Sequence, residues 1–454
     1  MKVAVVGCGY VGLVTGVGLA SVGHDVVGIE RDPERQQAIA DGRLPFHEPG
    51  LADALRTQHT AGRFTVAGDA GPVEGADVVL IAVQTPPRED GSIDLRFLED
   101  AVREVAGAPH SSSRRRVLAV RSTVVPGTSE QVVRPIVGDR AAIASNPEFL
   151  REGTALEDFL SPDRVVVGTD DDDAWEALRT LYEPLGAPLL RTSPTTAELG
   201  KYASNALLAT LISYSNEIAR IAETLPGVDV ENVLEVVRRD RRLTPRIDGR
   251  LVAPGILAFL KAGCGFGGSC LPKDLAALLS EQRRRGMSHP LLEAVMTVNA
   301  SQAEHVVDLF EQEVGGVQGL SVAVLGVAFK GGTDDMREAP GLRILDVLLD
   351  RGAEPVVFDP LVGASSLAAW VDRGARVSPT LEDALGRSSA CVVTTNAPEF
   401  DAVAQGVRAH AEPGYVVFDA RRFLEPSSFD GVYRGVGRGP ARAGDVSRAT
   451  IEPR

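Results

Sequence analysis

The chain has 454 residues, 44% hydrophobic and 24% charged, enough apolar material for two or three domain cores. Its formal charge of −15 argues against nucleic acid or an anionic membrane as the main partner, but not against a small anion held by local Arg and Lys. Four scattered cysteines exclude a disulfide framework, and no CxxC pair or Cys/His cluster offers a metal site. No apolar run reaches about 18 residues and the N-terminus reads as a strand, so no membrane span and a reducing cytoplasmic setting are expected.

Lys2 to Val6 is a short apolar run read as a buried parallel strand, followed by a glycine turn and a helical pattern over Leu13 to Val22. Asp25 to Ile29 is a second strand. Ala76 to Val83, Val117 to Val120 and Ala141 to Ser145 are further strands, separated by helix-forming stretches such as 93–106. This alternation predicts a doubly wound α/β sheet. From about 196 to 238 the sequence predicts nearly continuous helix, then a Pro- and Gly-containing loop over 241–257 and more helix over 272–313. The first pattern returns in the strands Leu320 to Leu325, Pro355 to Phe358, Cys391 to Thr395 and Tyr415 to Phe418, with a helix over 339–351. The predicted fold class is therefore α/β: two Rossmann-like doubly wound domains, over 1–195 and 306–435, joined by a central helical domain with one long helix over 196–305. Residues 436–454 read as a flexible tail.

Gly7, Gly9 and Gly12 form G-x-G-x-x-G between the first strand and helix. The first glycine permits the tight turn, the second lets a pyrophosphate approach the backbone, and the third allows close helix–strand packing. Glu30 ends the second strand, 18 residues past Gly12, where a carboxylate binds a ribose 2′-OH and repels a 2′-phosphate. This favours NAD over NADP.

Residues 263–275 read GCGFGGSCLPKDL. Pro272 suits the first turn of a helix, which places Cys270 near a helix N-terminus with Lys273 nearby, and both features favour a thiolate. Asp274 lies one turn further on. Cys8 and Cys391 read as core residues, and Cys264 lacks the helix-start geometry. Two other segments are unusually polar. In NPEFLREG (146–153) Glu148 and Glu152 are separated by one helical turn, and in ELGKYASN (198–205) Lys201 and Asn205 share a helix face.

Together with GCGYVG, VQTP (83–86), RSTVVPGT (121–128), GFGGSCLPKD (265–274), GVAFKGGTDDMREAP (326–340) and FDARR (418–422), these segments make the chain resemble the UDP-glucose/GDP-mannose dehydrogenase family from Gly7 to about Arg422. The resemblance implies an NAD-dependent, four-electron oxidation of a nucleotide sugar's C6 alcohol to a carboxylate through a cysteine thiohemiacetal and thioester. It points to UDP-glucose first, dTDP-glucose second and GDP-mannose third.

By the same resemblance Cys270 is the nucleophile, Lys201 the acid/base or oxyanion-stabilising group, and Asn205 its hydrogen-bonding assistant. Asp274 with Thr123 handles water, Glu152 lies near the cofactor and the reacting carbon, and Glu148 takes part in thioester hydrolysis. NAD is expected to contact Gly7, Gly9, Tyr10, Val11, Gly12, Glu30, Arg35, Val83, Thr85, Pro86, Thr123, Glu152, Lys273 and Arg337. The substrate is expected to contact Glu148, Phe149, Leu150, Arg151, Lys201 and Asn205. Arg242, Phe259, Lys261, Gly263, Gly265, Phe266 and Gly267 follow on the approach to the cysteine, and Phe329, Lys330 and Arg421 come from the second αβ domain. A homodimer through the central helical domain is implied as well. The chain departs from the family pattern in about a dozen extra residues near 244–256, after Arg242, and in RST where KST is usual. A simple β-hydroxyacid dehydrogenase needs neither Cys270 nor a second αβ domain, and a silent nucleotide-sugar sensor needs none of Cys270, Lys201, Asn205 and Asp274.

Overall fold

The computed structural model describes residues 1–110, 115–410, 412, 414–429 and 433–440. The chain forms two compact units: Met1–Ser204 with Ala276–Met287, and Asn205–Leu275 with the chain from Ser288.

The first unit is built on eight strands: β1 (Lys2–Val6), β2 (Asp25–Ile29), β3 (Phe64–Ala67), β4 (Val78–Ile81), β5 (Arg116–Val120), β6 (Ala141–Ser145), β7 (Val165–Gly168) and β8 (Leu189–Thr192). Their order is β3-β2-β1-β4-β5-β6-β7-β8. All neighbours are parallel except β6 and β7. Every residue of β4, β5 and β6 is buried, which is why these strands read as unbroken apolar runs rather than alternating ones. The helix Tyr10–Ser21 is buried from Gly12 to Ala20 and packs directly on this sheet. A Cβ on Gly12 would lie 1.8 Å from the Gly7 carbonyl oxygen, so only glycine lets helix and turn approach this closely. The order 3-2-1-4-5-6 puts the topological switch between β1 and β4, and the crevice there opens at the strands' C-terminal ends.

The second unit repeats that order. Its strands β11 (Ser321–Leu325), β12 (Glu354–Phe358), β13 (Arg376–Val377), β14 (Ala390–Val393), β15 (Val416–Asp419) and β16 (Tyr433–Gly435) lie as β13-β12-β11-β14-β15-β16, all parallel. The close glycine approach recurs, for a Cβ on Gly341 would meet the Gly326 carbonyl oxygen at 2.5 Å.

In the chain, between the strands of the two sheets, comes the predicted long helix, Pro194–Glu223, of 30 residues. It does not continue to 238. Pro226 cannot donate to the ladder and Gly227 takes φ +72°, so the chain turns and restarts as Val230–Arg238 with Asp229 as its N-cap. The stretch 272–313 is likewise three helices, Leu271–Arg284, Pro290–Ala300 and Gln302–Val314. The expected loop over 241–257 contains a two-residue-strand hairpin, β9 (Arg246–Ile247) and β10 (Arg250–Leu251), closed by Asp248 and Gly249 at φ +49° and +77°. Asp-Gly is the usual sequence of such a turn, and its signal lay in RIDGRL. The expected tail divides. Residues 441–454 lie outside the described residues, whereas Val436 is fully buried and Gly437, Gly439 and Pro440 hydrogen-bond the backbone of Gly227–Val230. Residues 436–440 are thus packed onto the second unit.

Candidate active site

In the first unit the predicted residues gather at the C-terminal ends of β1, β2, β4, β5 and β6. Gly9 precedes the helix Tyr10–Ser21 without a capping side chain, and a Cβ there would meet nothing within 4 Å. The turn therefore offers open space beside uncapped helix N–H groups, which fits a pyrophosphate. Glu30, 7% exposed, accepts from the Asp32 N–H at 3.0 Å and pairs with Arg35 at 3.5 Å. A carboxylate at the end of β2 and an open glycine turn after β1 are together the donor set of a dinucleotide site.

After β4, Thr85 donates to the Thr123 carbonyl at 2.9 Å, and Ser122 donates to the Val83 carbonyl at 2.6 Å. The Pro86 carbonyl accepts from the Asp94 N–H at 2.8 Å. These bonds knit VQTP to RST. Glu198, one turn before Lys201, accepts from the N–H groups of Gly127 and Ser129 at 2.6 and 2.8 Å. Burial pushes its carboxyl above the usual range despite these bonds.

The NPEFLREG segment is not helical, so the helical spacing read for Glu148 and Glu152 does not apply. Each glutamate finds its own partner. Glu148 accepts from Lys201 Nζ at 3.0 Å and from the Leu150 N–H at 2.6 Å, with both side chains of the ion pair buried. Burial alone would push Glu148 up, but Lys201, the Leu150 N–H and the charge of Arg121 outweigh it and hold the carboxyl below its ordinary value. The charge of Glu152 acts on the Tyr10 hydroxyl, adding to the rise that burial and Glu48 impose on it. Phe149 faces cations, with Lys201 Nζ 5.5 Å from its ring centroid and the Arg164 guanidinium 4.0 Å from it. Arg151 is turned to Asp158 at the surface.

In the second unit Cys270 is exposed and stands immediately before the helix Leu271–Arg284, its carbonyl accepting the Asp274 N–H at 2.9 Å. The Ser269 hydroxyl is 3.4 Å from its sulfur. Asp274, 1% exposed, accepts from Asn205 Nδ2 at 2.6 Å and pairs with Lys273 at 2.7 Å. The lysine expected beside the thiol is thus engaged with Asp274. The other cysteines are buried. Burial, and secondarily Glu30, push the Cys8 thiol up to about 12, and burial pushes Cys391 to about 12 and raises Cys264.

The loop before Cys270 is held by three buried amides that the sequence reading missed. Asn216 accepts the Gly263 N–H at 2.8 Å, and Gln302 donates to the Gly263 carbonyl at 2.7 Å. Asn299 both accepts from the Phe266 N–H (2.8 Å) and donates to its carbonyl (3.0 Å). Their only signal was an amide on an otherwise apolar helical face. Arg421, at the end of β15, donates to the Gly265 carbonyl at 3.1 Å, and the Phe329 ring packs against Gly268. Lys330 Nζ is 5.6 Å from that ring, and Arg337 is paired with Asp335. Phe259 and Lys261 are half-buried. Arg242 is exposed and paired with Asp240, two residues earlier. Also missed was Arg121, buried after β5, which donates to Thr15 Oγ1 at 2.8 Å and Asn146 Oδ1 at 3.0 Å.

Among the described residues no group of three or more His, Cys, Asp or Glu could hold a metal ion, and no helix is long and apolar enough to cross a membrane.

Residues 1–186, 195–301 and 323–426 match, in turn, the NAD binding, central and UDP binding domains of the UDP-glucose/GDP-mannose dehydrogenase family. The chain is 37% identical to the UDP-glucose 6-dehydrogenase AglM of Haloferax volcanii, over 93% of this chain and 97% of that protein. It is 38% identical to the UDP-glucose 6-dehydrogenase of Pseudomonas aeruginosa, over 96% and 98%. The solved structure of a UDP-glucose dehydrogenase from the archaeon Pyrobaculum islandicum matches with a TM-score of 0.85 and 37% identity, over 96% of this chain and 98% of that one.

Proposed function

The chain belongs to the UDP-glucose/GDP-mannose dehydrogenase family and is an NAD-dependent nucleotide-sugar 6-dehydrogenase, and on that premise we propose that it converts UDP-glucose to UDP-glucuronate through a thioester on Cys270. One UDP-glucose, two NAD and one water give UDP-glucuronate, two NADH and three protons, the third from ionisation of the new carboxyl. The observation that carries the mechanism is the setting of Cys270, an exposed thiol at a helix start, when the other three cysteines are buried and two of them titrate only near 12. The substrate is carried by the two relatives named UDP-glucose 6-dehydrogenase, which match almost end to end.

Bound NAD supplies the acceptor for each hydride. Gly7, Gly9, Tyr10, Val11 and Gly12 would hold its pyrophosphate and Glu30, flanked by Arg35, its adenosine ribose, while Val83, Thr85, Pro86, Thr123, Lys273 and Arg337 would complete its contacts. After the first oxidation the sulfur of Cys270 adds to the C6 aldehyde, placing a hydride and a hydroxyl on one tetrahedral carbon. Loss of that hydride leaves the thioester, and water displaces the sulfur to give the carboxylate. Lys201 shuttles the hydroxyl proton and steadies the oxyanion with Asn205, Asp274 and Thr123 orient the water, and Glu148 takes up its proton. A Glu148 held ionised by Lys201 suits that last step. Glu152 sits beside the reacting carbon. Phe149, Leu150, Arg151, Phe259, Lys261, Gly263, Gly265, Phe266, Gly267, Phe329, Lys330 and Arg421 contact the sugar nucleotide, and Arg242 is offered to a second subunit.

The enzyme acts as a homodimer in the cytoplasm on this reading. Leu207, Tyr214 and Ile221 recur every seven residues along the long helix, and 45–54% of each is exposed, an apolar stripe suited to a second copy. None of the four cysteines is in a disulfide, which suits a reducing compartment. The test is NADH formed per sugar consumed, with excess NAD and limiting UDP-glucose, beside Cys270→Ala. Two NADH per sugar, lost in the variant, supports the thioester route. One NADH per sugar, unaffected by the variant, refutes it, and no NADH moves the substrate to dTDP-glucose and then GDP-mannose.

A further inference from the structure

Glu48 stands in the loop before the helix Leu51–Thr60, between β2 and β3 in the chain, yet only 4% of it is exposed. Its carboxylate accepts three hydrogen bonds. One comes from the Tyr10 hydroxyl, one from the Gly153 N–H at 2.8 Å and one from the Ala155 N–H at 2.7 Å. Tyr10 is the first residue of the helix that leaves the glycine turn, while Gly153 directly follows Glu152. The neighbouring Phe46 ring packs on Tyr10 with centroids 4.8 Å apart. A single buried carboxylate therefore ties the glycine turn to the segment that carries Glu152.

That tie matters because Asn146–Thr154 has no helix or strand ladder to fix it. Its first half is held elsewhere: Asn146 by Arg121 and by the Val166 carbonyl, Glu148 by Lys201. Its second half is held by Arg151 on Asp158 at the surface and by Glu48 in the interior. The Glu48 bonds relate the segment that carries Glu152 to the turn whose open face fits a pyrophosphate. Tyr10 feels the charges of both Glu48 and Glu152, which places the three side chains in one neighbourhood.

We propose that Glu48 is a positioning residue that, through Tyr10 and the Gly153 and Ala155 N–H groups, fixes Glu152 against the NAD-binding glycine turn. The assignment rests on the reading of Glu152 as a residue beside the cofactor. Glu48→Gln keeps the size of the side chain but turns one of its oxygens into a donor, which cannot accept from any of the three N–H or O–H partners. Tyr10→Phe removes one partner and leaves both backbone bonds.

The experiment titrates NAD into the full-length wild type, Glu48→Gln and Tyr10→Phe by calorimetry, with no sugar present. Hydrogen exchange of residues 150–156 is followed by mass spectrometry in the same samples. Folded Glu48→Gln is expected to bind NAD about tenfold more weakly and to exchange faster at 150–156, with β4 and β5 unchanged and KM for the sugar nucleotide within about twofold of wild type. Wild-type affinity and wild-type exchange in the folded variant overturn the proposal, even if its melting temperature falls. Should Glu48→Gln fail to fold, Tyr10→Phe decides: faster exchange at 150–156 together with an NAD affinity reduced threefold or more supports the assignment, and wild-type exchange at 150–156 overturns it whatever the affinity. A wild type that binds NAD yet oxidises no nucleotide sugar refutes the functional reading and leaves this titration interpretable.

Discussion

Replacing Lys201 by Met should destabilise the protein by an amount that depends on pH, and the dependence can be worked from the Glu148 site. The pair is 3.0 Å long with its side chains 5% and 6% exposed, a setting in which loss of one partner costs about 3–5 kcal/mol. Glu148 has an escape, because it can take up a proton. For a carboxyl of ordinary value near 4.3, holding the proton at pH 7 costs ~3.7 kcal/mol, and at pH 5 ~1 kcal/mol. Those figures cap the penalty. In the wild type the sign is the usual carboxylate one: the Glu148 value is depressed, so its stabilisation is present above the ordinary value and is lost as pH falls through the lower folded one. In Lys201→Met the opposing cation is gone and burial pushes Glu148 up, so the variant's deficit should shrink from pH 7 to pH 5 by about 1–3 kcal/mol. Followed as the melting temperature of the first unit's transition, a 2–4 kcal/mol loss at pH 7 corresponds to a fall of about 5–10 °C. Adding Glu148→Gln should restore part of it, since no buried charge is then left unopposed. A deficit of equal size at both pH values, or a double variant worse than the sum of the singles, would refute the reasoning.

Gly9→Ala and Gly12→Ala should separate binding from folding. The first places its methyl in open space beside the glycine turn and should fold normally with NAD affinity reduced at least tenfold, whereas the second drives a methyl to 1.8 Å from the Gly7 carbonyl and should lower the melting temperature as well. Calorimetric NAD titration with a thermal melt of each checks both. If the proposed homodimer forms through the long helix, Leu207→Glu with Ile221→Glu should convert it to monomer in sedimentation velocity, because both positions lie on that helix's exposed stripe. A variant that sediments like the wild type would move the interface elsewhere.

The sequence discloses the two sheets well because their central strands are buried on both faces and so carry continuous apolar runs. Edge strands such as β8, with two exposed residues of four, carry no such run and went unread. The glycine turn and Glu30 were legible because their chemistry is local: residues within one βαβ unit set the geometry. Glu48, Arg121, Asn216, Asn299 and Gln302 were not, since each acts on a segment at least 25 residues away. A single acid or amide gives no hint of the backbone it will cap. The break at 224–229 was a misjudged balance rather than a hidden fact. Pro226 and Gly227 stand in the sequence, and they outweigh the helical periodicity on either side of them.

The four cysteines show how far environment, rather than residue type, decides chemistry, and they yield a last prediction. Alkylation requires a thiolate within reach of the reagent. At pH 8 a thiol that titrates near 12 is ionised in only about one molecule in ten thousand. Cys8 and Cys391 meet that description and are also wholly shielded, at 1% and 0% exposure. Cys264 is 2% exposed, and burial outweighs the nearby Arg421 to raise its thiol as well. Cys270 has the opposite setting, exposed and at the positive end of a 14-residue helix, where a thiolate is favoured. Iodoacetamide on the native protein at pH 8 should therefore modify Cys270 at least a hundredfold faster than any other cysteine, as read by peptide mass spectrometry. Bound sugar nucleotide should slow that modification without changing the other three. Comparable labelling of Cys264 and Cys270 would mean that the cysteine loop opens in solution, and the argument from burial would fail. Labelling of Cys270 at the rate of an unfolded control peptide would mean that the helix start does nothing for the thiol beyond exposing it.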